Sequence, residues 1–65
     1  MDKKIASRRL RARVIFLKRI KRDLESIKKN IKKVSKHHII ILNHDLDLVE
    51  AEIKSIEQLI ETFTS

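Results

Sequence analysis

Cysteine, glycine, proline, tryptophan and tyrosine are all absent from this chain of 65 residues, and phenylalanine occurs only twice. Without cysteine there is neither a disulfide framework nor a thiolate zinc site. Without glycine there is no Gly-rich phosphate loop and no primed hairpin turn, and without proline no stiff extended linker. Phe16 and Phe63 leave little to stack on nucleic-acid bases. Long hydrophobic runs are missing too. The longest are Val14–Leu17 and Ile39–Leu42, far short of the roughly 18 residues of a membrane span and shorter than a signal-peptide core. The expectation is an intracellular, cytoplasmic protein with no transmembrane segment.

What remains is Ile, Leu and Val set among Lys, Arg, Glu and Ala, a vocabulary of helix formers that predicts an all-α chain. At this length there is room for one small domain, whose core is marginal without further support. Charge divides the chain in two. Residues 1–36 carry fifteen Lys and Arg against Asp2, Asp23 and Glu25, a net +12, whereas residues 37–65 carry Lys54 against six carboxylates, a net −5. The two halves account for the overall +7.

Hydrophobic spacing shows how the halves are arranged. Leu17, Ile20, Leu24, Ile27, Ile31 and Val34 follow one another in alternating steps of three and four, and Leu10 extends the row backwards with Arg13 as an interruption. Ile39, Leu42, Leu46, Val49, Ile53, Ile56, Ile60 and Phe63 repeat the alternation. Between Val34 and Ile39 the step is five, so the register slips at Ser35–His38. A continuous helix could absorb one extra residue by a local change of winding. A reversal explains more: residues 10–34 and 39–63 are equally long, Leu10 comes opposite Phe63, and a basic helix lies against an acidic one. The expected architecture is therefore an antiparallel, coiled-coil-like helical hairpin, with helix 1 about 3–34, a turn about 35–38 and helix 2 about 39–63. Ser35 is a candidate N-cap of the second helix. The rival placement breaks the chain later, with Asn43 as the cap and Asp45 and Asp47 in the first turn. The run His37–Leu42 has strand propensity, but it has no partner strand.

One hairpin cannot bury all the apolar residues on offer. Val14, Ile15 and Phe16 widen the first seam, and Ile41, Leu48 and Leu59 flank the second. Leftover aliphatic surface of this kind marks an interface. These six residues are the expected self-association surface, most simply in a four-helix dimer of hairpins.

The densest chemistry is basic. Arg8, Arg9, Arg11, Arg13, Lys18, Arg19, Lys21 and Arg22 wrap the first helix in positive potential suited to nucleic acid or to an acidic protein surface. With no base-reading module, contact would be with the phosphate backbone or with shape. The same amphipathic segment could rest on an anionic membrane with Ile15 and Phe16 inserted, or be a solvated face that pairs with the second helix. His37, His38 and His44 lie close in sequence. His37 and His44 are about 10 Å apart along a helix, too far to share an ion, so no metal site is expected and polar residues beside a turn is the plain reading. Asp45 and Asp47, two apart, point to different sides of a helix. Ser7, Ser26, Ser35, Ser55 and Ser65 have no evident base beside them. The residues themselves call for neither catalysis nor a cofactor.

Residues 24–49 resemble the small sporulation-type aspartyl-phosphate phosphatases, helical hairpins that dephosphorylate response regulators. That family carries Ser-Gln-Glu-Leu-Asp on its second helix, and here the matching positions are Asn43, His44, Asp45, Leu46 and Asp47. Leu46 and Asp47 agree, Asp45 is a conservative replacement, and Asn43 and His44 depart. The inter-helix loop is shorter and lacks the family's glycine, and the basic residues 1–23 have no counterpart. The resemblance implies that Asp47 is the functional residue, that the partner is a receiver domain, and that water attacks its phospho-aspartate.

Overall fold

The computed structural model describes residues 2–31 and 35–64. It contains two helices, α1 over Lys3–Asn30 and α2 over Lys36–Thr64, packed antiparallel along their length. The chain doubles back: 65 residues of unbroken helix would run about 98 Å at 1.5 Å per residue, and the longest dimension is 48 Å. The expected all-α hairpin is the observed fold.

Both helices start on caps that the sequence supplies. Asp2 stands outside α1 in extended conformation, and its Oδ1 accepts from the Lys4 amide at 3.0 Å. Ser35 does the same for α2, its Oγ accepting from the His38 amide at 3.4 Å and its carbonyl from the amides of His38 and Ile39. A second contact braces this cap, because Ser35 Oγ and His38 Nδ1 are 2.8 Å apart. A cap at Ser35 requires helix to begin at the next residue. Residues 36–38 of the predicted turn are therefore helical, and His37 and His38 lie in the first turn of α2. Asn43 is helical and caps nothing, which removes the later break.

The first helix is correspondingly shorter than the predicted 3–34. Lys28 and Lys29 place positive charge at its C-terminal dipole, and Ile31 is extended, its amide closing the last turn on the Ile27 carbonyl at 3.1 Å. Residues 32–34, including the predicted seam residue Val34, lie outside the described residues. No described residue has positive φ.

The core is thin. Val14, Leu17 and Ile53 form its centre, with Ile20, Val49, Ile56 and Ile60 packed around them and Leu46 buried beyond. The α2 seam is the predicted one from Leu42 to Phe63, with Ile39 left exposed. The α1 seam is rotated. It takes in Ser7, Leu10, Val14, Leu17, Ile20, Lys21 and Leu24: the predicted Leu10, Leu17, Ile20 and Leu24 are kept, Val14 replaces Arg13, and Ile27 and Ile31 are left half exposed. The physical reason lies in what α2 offers. Lys21 can lie along the seam because its stem is apolar and its ammonium reaches Glu50 at 3.3 Å. One turn pair later Lys28 donates to Asn43 Oδ1 at 2.6 Å. Rotating α1 this way buries Val14 and the small Ser7, and turns the Arg13 guanidinium outwards.

Candidate functional site: the basic helix and its flanks

Among the described residues three cations of α1 pair with carboxylates of α2. Arg13 meets Glu52 at 3.6 Å, Lys18 meets Glu57 at 4.0 Å, and Lys21 meets Glu50 and, one turn along its own helix, Glu25 at 3.9 Å. All these side chains are about half exposed, so each pair contributes at most about 1 kcal/mol and fixes register more than stability. Basic helix against acidic helix, as the charge division predicted, is the observed pairing.

The predicted basic residues do not form one continuous surface. Lys4, Arg8, Arg11, Lys18, Arg22 and Lys29 recur at steps of three, four or seven and share one side of α1, whose inner edge borders α2 where Lys18 meets Glu57. Ile15 sits in the middle of this row and Arg19 on its edge. Arg9 and Arg13 lie a quarter-turn or more away, and the Arg13 guanidinium stacks over the Phe16 ring, 5.5 Å from its centroid. Lys21 is committed to the helix boundary. Among the described residues no carboxylate comes within ion-pair distance of Arg8, Arg9, Arg11, Arg19 or Arg22.

At the open end of the hairpin a shallow recess gathers Lys3, Lys4, Arg8 and Arg11 around Ser7, with Phe63 and Thr64 of α2 as its far wall. Four cations and no carboxylate line it. This cluster was not singled out in the sequence; the recurrence of Lys4, Arg8 and Arg11 at helical spacing was the available signal. Further along the same flank, a second recess lined by Lys18, Lys21, Arg22, Glu25, Glu50, Ile53, Lys54 and Glu57 has mixed charge and offers an anion little net attraction.

The six predicted self-association residues separate in the same way. Val14 is a correction: it is 7% exposed and belongs to the hairpin's own core, because the rotation of α1 takes it in place of Arg13. Ile15 lies on the basic face. Phe16, Ile41, Leu48 and Leu59 are exposed and away from it. Ile15 and Phe16, paired in the sequence as membrane-inserting residues, therefore point to different sides.

His37 and His38 stack edge to face, 5.9 Å between centroids, and His44 lies two turns further along α2. Among the described residues no three His, Asp or Glu side chains converge as metal ligands. Asp47 is exposed in the first half of α2, and Asp45 is half-buried. Among the described residues no helix is long and apolar enough to cross a membrane. Comparison with protein-family models, with curated proteins and with solved structures finds no match to this chain.

Proposed function

We propose that this chain is a helical binding module, not an enzyme, whose basic α1 face binds the phosphate backbone of nucleic acid. The observation that carries this reading is the set of arginines left over once the helices have paired. Arg8, Arg11, Arg19 and Arg22 are exposed, make no ion pair among the described residues, and span about 21 Å along one side of α1. Guanidinium groups suit phosphate oxygens, to which they can donate two parallel hydrogen bonds. A duplex presents a negative charge every ~1.7 Å of its axis, so an extended cation row meets anions all along it, which the sparser carboxylates of an acidic protein surface match less well. No aromatic and no amide side chain stands in the row, so recognition is of backbone and not of base sequence.

The test is anisotropy of a labelled 20-base-pair duplex between 50 and 300 mM salt. Binding should weaken steeply, and changing Arg8, Arg11, Arg19 and Arg22 to Gln should lower the slope of log affinity against log salt by roughly 3 to 4, at ~0.9 per phosphate contact. An unchanged slope rejects the assignment. Lys54→Gln on α2 is the control and should leave the slope as it is.

A second reading is supported by Asp47, which stands exposed on the second helix of a hairpin, as the resemblance to aspartyl-phosphate phosphatases implies. In it the hairpin docks on a receiver domain, water attacks the phosphorus, and the bond to the aspartyl oxygen breaks to give inorganic phosphate and the free carboxylate. Faster loss of phosphate from a receiver, abolished by Asp47→Ala, would favour it over nucleic-acid binding.

A further inference from the structure

Ten large apolar residues of the described chain are 39–66% exposed, against four that are buried, and none is fully enclosed. The exposed ones are not scattered. On α1, Phe16 and Ile27 are eleven residues apart, which is three turns of helix, and form a line. On α2, Ile41, Leu48 and Leu59 are spaced by seven and eleven and form another. Two contacts show that both lines lie on the same flank. Arg13 stacks on Phe16 and reaches across to Glu52, and Glu52 is four residues from Leu48, seven from Leu59 and eleven from Ile41. The Lys18–Glu57 and Lys21–Glu50 pairs mark the opposite flank. In the antiparallel register set by the Lys21–Glu50 and Lys28–Asn43 contacts, Phe16 falls between the levels of Leu48 and Leu59, and Ile27 comes near Ile41.

We infer that this flank is the docking surface for a second copy of the chain, giving a two-fold four-helix bundle in which α1 of each copy lies against α2 of the other. Area and charge argue for this occupant. From Ile41 to Leu59 the flank runs about 27 Å, and the hairpin is 16 Å wide. The projected patch is roughly 430 Å², on the scale of the ~800 Å² of accessible surface per partner in a stable interface and as large as the largest, often functional, patches of monomers at ~300–600 Å². A core as thin as this one is marginal for a chain of this length. Charge selects the arrangement. α1 carries a net +10 and α2 a net −4, so α1 against α1 repels and α1 against the second copy's α2 attracts. With the turns at the same end, Phe16 and Ile27 of each copy face Ile41, Leu48 and Leu59 of the other, and the Arg13–Glu52 pairs sit among them. The basic face bearing Arg8, Arg11 and Arg22 remains open. The inference is independent of what that face binds.

The test uses the intact chain. Light scattering at about 100 µM should return twice the 7.7 kDa chain mass, and the melting temperature should rise with protein concentration, as it does when association and folding are linked. Phe16→Glu with Leu48→Glu should halve the mass, whereas Ile15→Glu, equally exposed but on the basic face, should leave the dimer in place. If the double variant loses its helix, the concentration dependence of the unmodified chain still decides. A monomeric mass with concentration-independent melting overturns the inference. So does a dimer that survives the double variant but is broken by Ile15→Glu. A monomer that binds anionic phosphatidylglycerol vesicles through Phe16 and Leu48 assigns the flank to a lipid surface and overturns it as well.

Discussion

Replacing Val14 by Ala tests the packing register of α1 directly. Spacing alone puts Arg13 in the seam and Val14 outside it; in the structure Val14 is 7% exposed and the Arg13 side chain 52%. Val→Ala removes two buried carbons, worth about 1.6 kcal/mol of transfer free energy at ~0.8 each. The cavity left in a core as thin as Val14, Leu17 and Ile53 raises this to about 2–3 kcal/mol. At 4–8 °C per kcal/mol for a domain of about this size, the melting temperature should fall by roughly 8 to 24 °C. Two neighbours serve as controls. Arg13→Ala loses one half-exposed ion pair, worth at most about 1 kcal/mol. Ile15→Ala trims a side chain that is already 58% exposed and gains helix propensity, so its net effect is small. The assay is thermal melting followed by circular dichroism at one fixed protein concentration. Were Arg13→Ala to cost more than Val14→Ala, or Val14→Ala to melt with the parent, the register described above would be wrong.

Two further outcomes are expected. Ser35→Ala removes the side-chain cap of α2 and should cost about 0.5–2 kcal/mol, with faster amide hydrogen exchange at His38 and little change beyond Asn43; uniform protection along α2 would show that the cap is idle. Lys21→Leu places an apolar residue between Leu17 and Leu24 on the seam and gives up only two exposed ion pairs, so the melting temperature should rise by several degrees; a fall would show that the Lys21–Glu50 contact matters more than its exposure allows.

Much of the fold is legible in one dimension because the helical period is a local property. Each of the two seams can be traced from its own segment, and the slip between Val34 and Ile39 announces the reversal. Ser35 was readable as a cap because a hydroxyl before a run of helix formers has one nearby set of amides to satisfy. The position of the turn was not readable in the same way. The five-residue step marks where the seams stop matching, whereas the reversal falls where Ile31 turns extended and Ser35 begins the next helix. The candidate surfaces were legible as residue types but not as groupings. Arginines counted along α1 look like one sheath until the partner helix occupies one side of it. Ile27 escaped notice because it lay within the seam.

The sequence by itself determined that this chain is helical, that it folds back on itself, and that one arm is basic and the other acidic. Periodicity, propensity and charge act over a few residues and need no knowledge of what lies opposite. Only the tertiary structure decided the rotation of α1 about its own axis. That rotation depends on whether Glu50 and Asn43 stand where Lys21 and Lys28 can reach them. It in turn decided that Val14 is buried, that Arg8, Arg11 and Arg22 share one side of α1, and that Phe16 comes to the same flank as Ile41, Leu48 and Leu59.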